Sequence, residues 1–239
     1  MESVLAPFLL SRLSAATMIL RLFTQIVVVL TVVLSLSSAE AISEIEQPVW
    51  SKGATPIWLP PGVEVSSPDK TKIAIISHTD YLRLAVRMKG QTLAGIENEG
   101  VHSIAEMAWA PDSTAFYITA TDGGDVGTWL TTVYLIEKGR VRRIDVRDEI
   151  MKRSMKQYSC IEPEKPNIAA IKWLEGSAKL LFVAEVPPHS SCPDMGKLFG
   201  YIVSIPSGNI VEELDEKKLG AQWARYLGLR IRRNIGIEE

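Results

Sequence analysis

The sequence contains two cysteines, Cys160 and Cys192, and their surroundings indicate what chemistry they do. Both lie in stretches rich in proline and serine, which are typical of loops. In an oxidising compartment an even number of cysteines pairs as a disulfide, which here would close a loop of about 30 residues and stabilise the fold by about 3–4 kcal/mol. The alternative is a metal site that adds His189 in an H-x-x-C spacing, but a closed zinc site needs four ligands. We therefore predict a Cys160–Cys192 disulfide.

A glycine-rich loop carries two carboxylates, Asp122 and Asp125, in the stretch TDGGDVG. Calcium takes six or more oxygen ligands, and the spacing of an EF-hand loop is absent. Glycine and aspartate are also the ordinary residues of turns. We predict a turn and no bound metal or cofactor, with Asp122 and Asp125 as the candidate ligands if a cation does bind there.

None of the three histidines, His78, His102 and His189, belongs to a catalytic signature. The sequence has no G-x-S-x-G elbow, no H-E-x-x-H zinc motif, no phosphate-binding P-loop and no G-x-G-x-x-G dinucleotide motif. His78 lies at a predicted turn between two strands, where a polar residue is expected. We therefore predict no catalytic residue.

Four arginines cluster near the end of the chain and alternate with apolar residues. They are Arg225, Arg230, Arg232 and Arg233. Such a cluster either contacts an anionic surface or a partner protein, or forms a solvated edge that discourages strand association. The formal net charge of −2 excludes a strongly basic nucleic-acid binder, so we predict no nucleic-acid partner.

The first 41 residues have the features of an export signal. Arg21 precedes an uncharged, largely apolar run of 15 residues, 22–36, and a small-x-small sequence ends at Ala41. This pattern is typical of a cleaved secretory signal, whereas a bilayer-spanning helix needs about 20 apolar residues. We predict a signal peptide over residues 1–41, with Met18 as an alternative start, and a secreted or periplasmic mature protein. The alternative is that the leader is not cleaved, in which case it anchors the protein to a membrane.

The elements that position these residues recur along the chain. Residues 104–120, IAEMAWAPDSTAFYITA, align with residues 168–184, IAAIKWLEGSAKLLFVA, at a constant offset of 64. An earlier segment, residues 66–76, aligns with the segment that begins at Trp109, at an offset of 43. In this earlier segment Ser66 stands in the place of Trp109. Self-similarity of this kind predicts a repeat architecture. The predicted units span about 62–98, 102–146 and 166–214.

Turn signals predict two β-hairpins in each unit. Gly90, Gly139 and Gly208 each separate two apolar strands, at a place where a tight hairpin needs a residue with φ > 0. The Pro-Asp pairs at 68–69 and 111–112 predict the preceding turn, because proline fixes φ and aspartate bonds its own backbone. Two hairpins in each unit predict a four-stranded antiparallel sheet.

Other segments add to the three units. An insertion between the second and third units has apolar residues at helical spacing and predicts a helix at about 147–158. Asp215 is a predicted N-cap for a C-terminal helix at about 215–227. Residues 42–65 either supply a further strand or cover one face. We predict that residues 42–239 form a single domain.

The sequence Trp-Ala-Pro-Asp-Ser at 109–113, followed by an apolar strand and a strand-Lys-Gly-strand hairpin, resembles the W-S-P-D-G blade motif of TolB-like and WD-type β-propellers. The resemblance covers residues 62–214 and is specific in the second unit. The first unit lacks the tryptophan, and the third has Glu-Gly in place of Pro-Asp. The resemblance implies a propeller-like fold and a tendency to bind partners, and the family has no shared catalytic residues to carry over.

A propeller closes with about four to eight blades, and this chain has three candidate blades. The predicted fold is therefore all-β, with three four-stranded antiparallel blade-like units in an incomplete propeller or a sandwich-like stack. A short inserted helix and a C-terminal helix complete it.

The predicted function is that of an exported non-enzymatic binding or scaffold protein, which uses a propeller-like surface to contact a protein or an envelope component. The alternative is a hydrolase, or a hydrolase-accessory domain, whose site is built from scattered loop residues. A third possibility is a remnant that needs another copy to complete its sheets. An enzyme should show a pocket of convergent titratable groups, whereas a binding module should show an apolar or arginine-rimmed patch.

Overall fold

Short strands, paired almost entirely antiparallel, are the main secondary structure of the described residues, as the turn signals and apolar runs predict. This computed structural model describes residues 48–57, 62–78, 82–97, 99–101, 104–121, 123, 127–158 and 165–236. The all-β fold class is confirmed: the described residues form two sheets and few helices, and neither sheet closes into a barrel.

The strands are numbered in chain order. They are β1 (Thr55–Ile57), β2 (Val63–Ser66), β3 (Lys72–His78), β4 (Leu82–Met88), β5 (Gln91–Thr92), β6 (Gly100–Val101), β7 (Ile104–Trp109), β8 (Ala115–Thr121), β9 (Trp129–Glu137), β10 (Arg140–Ile144), β11 (Asn167–Leu174), β12 (Lys179–Glu185), β13 (Leu198–Ser204) and β14 (Ile210–Leu214). The first sheet has the order β2-β3-β4-β5, with β6 beside β4. The second has the order β1-β7-β8-β9-β11-β12-β13-β14, with β10 beside β9. The segment before the first repeat thus supplies the strand β1, which pairs with β7.

The two sheets differ from the three separate sheets that the repeats predict. Two strands, β10 and β11, share one edge of β9. The second half of β9 pairs with β10, and Leu130 in its first half forms a parallel pair with Ile168 of β11. The Thr131 side chain reinforces this junction. Its hydroxyl donates to the carbonyl oxygen of Ile168 (3.0 Å) and accepts from the N–H of Ala170 (2.9 Å). The strands of the second and third repeats therefore belong to one sheet.

Three buried apolar layers separate the sheet faces. The first layer joins the first sheet to β7–β9 and includes Ile76, Leu84, Val86, Met107, Phe116 and Ile118. The second layer joins β8–β10 to β11–β13 and includes Tyr117, Val133, Ile168, Leu180, Phe182 and Tyr201. The third layer joins β11–β14 to the two ends of the described chain and includes Trp50, Trp129, Leu181, Val183, Leu219 and Ile231. The sheet faces therefore stack one behind another.

Strand β8 shows how the sequence builds these layers. Successive side chains of a strand point to opposite faces, so Phe116 and Ile118 enter the first layer and Tyr117 enters the second. A strand that is buried on both faces has a continuous apolar sequence, as β8 and β12 do. Full burial of each large apolar side chain contributes about 1.5–3 kcal/mol.

The hairpin turns have the predicted backbone conformation. Lys89 and Gly90 have φ of 52° and 79°, and Lys138 and Gly139 have φ of 51° and 75°. Two consecutive residues with positive φ are typical of the type I′ turn, whose twist matches that of the strands that it connects. Gly208 also has a positive φ, of 77°.

The predicted Pro-Asp turns are also present. Asp69 Oδ1 accepts a hydrogen bond from the N–H of Thr71, and Asp112 Oδ1 accepts one from the N–H of Thr114, both at 2.9 Å. Each aspartate thus bonds the backbone two residues ahead, which stabilises the turn before β3 and the turn before β8.

Helices lie at the inserted segment and at the C-terminal end. They are α1 (Arg147–Ser154), α2 (Glu216–Trp223), a 3₁₀ helix (Ala224–Tyr226) and α3 (Leu229–Asn234). The predicted cap of α2 is observed, because Asp215 Oδ1 accepts a hydrogen bond from the N–H of Lys218 at 2.8 Å. Helix α3 was not predicted. No helix in the described part of the chain is long and apolar enough to cross a membrane.

Candidate binding cleft

Two tryptophans join each repeat to the repeat before it. The indole N–H of Trp109 donates to the carbonyl oxygen of Val65 (3.0 Å), and that of Trp173 donates to the carbonyl oxygen of Ala108 (3.3 Å). Val65 and Ala108 each come one residue before the tryptophan position of their own repeat. Trp109 and Trp173 are 9% and 6% exposed. Both tryptophans are therefore core residues rather than a platform for a ligand.

A second contact recurs at the same two boundaries. The N–H of Asp69 donates to Ser113 Oγ (3.0 Å), and the N–H of Asp112 donates to Ser177 Oγ (3.4 Å). The two serines align at the offset of 64. The same pair of hydrogen bonds thus holds the first repeat against the second and the second against the third.

A cavity of about 240 Å³ is lined by residues of β6, β8, β9, β10 and α1. We call it the Arg143–Arg147 cleft. Its apolar lining residues are Val101, Ile118, Ala120 and Leu130, and its other lining residues are Glu99, Gly100, Thr128, Thr132, Tyr134, Arg143 and Arg147.

Three groups of elements position the lining of the cleft. The wall comes from β8 and β9, where alternate residues face the same side. Strand β6 pairs with β4 and carries Gly100 and Val101 to one margin of the cleft. Strand β10 and the start of α1 supply the two arginines at the rim.

Glu99 links two of the polar lining residues. Its Oε1 accepts a hydrogen bond from the Tyr134 hydroxyl at 2.9 Å and another from Arg143 Nη1 at 3.2 Å. Tyr134 is 2% exposed, and burial together with the charge of Glu99 raises its pKa. The phenol therefore stays neutral and acts as a hydrogen-bond donor.

Arg147 is the second arginine of the cleft lining. Its Nε lies 4.0 Å from Asp145 Oδ1, and its side chain is 27% exposed. The Asp145 side chain is 58% exposed, so solvent screens this pair strongly. The cleft thus combines an apolar wall with two guanidinium groups, an arrangement that suits an anionic group attached to an apolar body.

Glu106 is a buried carboxyl group that lies outside the cleft lining. Its two oxygens accept hydrogen bonds from the N–H groups of Trp50 (3.1 Å) and Ser51 (3.0 Å). Burial raises the pKa of Glu106 to about 8, although these backbone hydrogen bonds favour the charged form. At 2% exposure it has little access to a substrate. Its contacts tie the segment around Trp50 to β7.

The four C-terminal arginines are divided between the surface and the interior. Arg225 and Arg233 are exposed, while Arg232 is 9% exposed. Arg230 Nη2 lies 2.9 Å from Oε2 of Glu185, whose side chain is fully buried. Residues 229–234 form a helix rather than an alternating edge, so their side chains point in several directions. The structure therefore does not bring all four arginines to one exposed surface.

The other predicted residues have separate positions. Cys192 is 3% exposed and packs in the second core layer, and His189 is exposed in the loop after β12. His78 ends β3. Outside the described residues lie Cys160, Asp122, Asp125 and His102. The disulfide and the cation ligands thus stay predictions, and within the described ranges no three His, Cys, Asp or Glu residues are placed to hold a metal ion.

The cleft residues Glu99, Tyr134, Arg143 and Arg147 were missed in the sequence. The spacing of Arg143 and Arg147 by four residues was a visible signal, but it crosses from a strand into a helix. Glu99 lies 44 residues from Arg143, and no local pattern connects the two.

Comparison of the chain with known protein families, with curated proteins and with solved structures found no match.

Proposed function

We propose that this chain is an exported, non-enzymatic binding or scaffold protein that contacts a protein or an envelope component through the Arg143–Arg147 cleft. The observation that carries the proposal is the composition of the cleft, whose lining combines two arginines with the apolar residues Val101, Ile118, Ala120 and Leu130. This pattern is typical of a binding site that selects an anionic group. Tyr134 is the cleft residue with a shifted pKa, and an upward shift keeps a phenol neutral at physiological pH.

The hydrolase alternative is not part of the proposal. General acid–base catalysis requires a titratable group within hydrogen-bond reach of a substrate. Glu106 has a pKa in the useful range, but it is 2% exposed and its two oxygens are occupied by backbone N–H groups. Its position therefore favours a structural role.

We further propose that the three repeats act as blade-like units in an open stack. The recurring hydrogen bonds of the tryptophans and serines support this arrangement. In the first unit Ser66 replaces the tryptophan and is exposed, so this position makes no core contact of the kind that Trp109 and Trp173 make. Glu64 and Arg87 also expose a polar outer face there, as the terminal unit of a repeat stack requires.

The export part of the proposal has its own tests. N-terminal sequencing of the mature protein should begin at residue 42, and a chain that retains residues 1–41 would contradict a cleaved signal. Thiol counting in denatured, non-reduced protein should find no reactive thiol if Cys160 and Cys192 are bonded. Two reactive thiols would contradict the disulfide.

Charge reversal tests the binding function. Purified protein with Arg147→Glu should be retained about tenfold less on the native cell-envelope fraction than the unchanged protein, because the cleft loses one cation and gains an anion. Arg142→Glu is the matched control. Arg142 lies on the same strand as Arg143, is 53% exposed, pairs with Glu137 and does not line the cleft. Equal retention of the two variants would contradict a binding role for the cleft.

A further inference from the structure

We propose that the Arg143–Arg147 cleft binds a small monocarboxylate, whose carboxylate lies between the two guanidinium groups and whose apolar body packs on the wall of the cleft. This inference rests on the proposed binding function of the same cleft and adds the chemical class of its ligand.

The charge of the lining favours a single negative charge. Among the described lining residues, Arg143 and Arg147 contribute two positive charges and Glu99 one negative charge, which gives these residues a formal net charge of +1. A monoanion neutralises this charge. A dianion such as a phosphate monoester would leave an excess negative charge beside Glu99, which disfavours it.

The contacts of Glu99 show that the site accommodates a carboxylate. One Glu99 oxygen accepts hydrogen bonds from both Tyr134 and Arg143. Among the described residues, the ion-pair oxygen recorded for the Arg147 guanidinium is 4.0 Å away on the exposed Asp145. A ligand carboxylate beside Arg147 gains a charge-assisted hydrogen bond that Asp145 makes poorly at that distance.

The size and walls of the cleft define the rest of the ligand. A cavity of about 240 Å³ accepts a molecule the size of a substituted aromatic ring or a short branched chain. Ile118, Leu130 and Val101 provide the apolar surface against which such a body packs. Thr128 and Thr132 add hydroxyl groups that bond to a polar substituent.

The probes for the test are benzoate and its neutral isostere benzamide. Each is titrated into uniformly ¹⁵N-labelled full-length protein while backbone amide shifts are followed by NMR. Benzoate should bind with a millimolar Kd, as expected for a ligand of its size, and should shift the amides of residues 128–134. Benzamide should bind about tenfold more weakly, because it lacks the charge that the arginines recognise.

Three variants locate the interaction. Arg147→Gln should weaken benzoate binding about tenfold, and Arg142→Gln should leave it unchanged. Glu99→Gln should strengthen binding, because it removes the negative charge next to the ligand. A thermal melt of each variant first shows that it is folded.

The possible results separate this inference from the proposed function. Equal affinity for benzoate and benzamide, an equal effect of Arg142→Gln and Arg147→Gln, or absence of any shift would overturn the monocarboxylate inference. If envelope retention still depends on Arg147 in that case, the binding function stands with another ligand class. If benzoate binds as expected but retention does not depend on Arg147, the cleft is a small-molecule site and the envelope-binding proposal fails.

Discussion

The indole N–H of Trp173 donates a hydrogen bond to the carbonyl oxygen of Ala108, and Trp109 makes the same bond to Val65 one repeat earlier. The partners are 65 residues apart in the first case and 44 in the second, so the insertion between the second and third repeats leaves the contact unchanged. This relationship explains why a tryptophan occurs in the second and third repeats. The corresponding position of the first predicted repeat carries the exposed Ser66.

Replacing Trp173 by phenylalanine tests the contribution of this hydrogen bond. Trp173→Phe should reduce the free energy of unfolding by about 0.5–1.5 kcal/mol, because the partly buried hydrogen bond to the Ala108 carbonyl is lost. Trp129→Phe is the control. Trp129 is 1% exposed, and its indole nitrogen has no hydrogen-bond partner among the described residues. Urea denaturation that finds an equal or larger loss for Trp129→Phe would contradict the role assigned to the bond.

Gly139→Ala tests the hairpin turn between β9 and β10. Gly139 has a φ of 75°, which an L-residue with a Cβ atom adopts at a cost of about 1 kcal/mol. Gly53→Ala is the matched control, because Gly53 has no atom within 4 Å of an added Cβ and no positive φ. The melting temperature should fall for Gly139→Ala and stay within error for Gly53→Ala. A similar fall for both would show that turn conformation is not the cause.

The pH dependence of stability tests the buried Glu106. Its pKa is about 8 in the folded protein against an ordinary value of 4.5, so between these values the folded state binds more protons than the unfolded state. The stability that the protonated group contributes is fully present below about pH 4.5 and is lost as pH rises through about 8, with a slope of up to about 1.4 kcal/mol per pH unit.

Glu106→Gln should remove this slope from urea denaturation measured between pH 5 and pH 8, because the amide does not titrate. Glu64→Gln, a change at an exposed position of β2, should keep it. If the unchanged protein and Glu106→Gln have parallel pH profiles, the assignment is wrong.

Arg230→Met tests the ion pair at the C-terminal end of the described chain. Glu185 is fully buried and pairs with Arg230 at 2.9 Å, so removal of the guanidinium leaves a buried charge without its counter-ion. We expect a loss of about 3–5 kcal/mol in the free energy of unfolding. Arg225→Met should lower the free energy of unfolding by less than about 1 kcal/mol. Arg225 is exposed, and among the described residues its guanidinium contacts the face of the Tyr226 ring. Comparable losses from the two substitutions would contradict the importance of the pair.

Local signals predicted a large part of the fold. Gly139 lies in a turn and Asp215 caps a helix, and each of these signals lies within a few residues of the chain. The alignment of Trp109 with Trp173 predicts repeats, and the structure places both side chains in the core. The sharing of β9 between β10 and β11 depends on where two distant strands meet, so the sequence predicted separate sheets. The cleft was missed for the same reason, since Glu99 and Arg143 meet only after the first sheet packs on the second.

Site-specific photo-crosslinking in the native envelope tests the central claim, that the cleft is the binding site, most directly. A benzophenone amino acid replaces Thr128, which lines the cleft, or Val211, which is 51% exposed on β14 away from it. We expect a crosslinked species from position 128 that is absent from position 211 and is lost when Arg147→Glu is added. Crosslinks that are identical at the two positions, or that persist with Arg147→Glu, would contradict it.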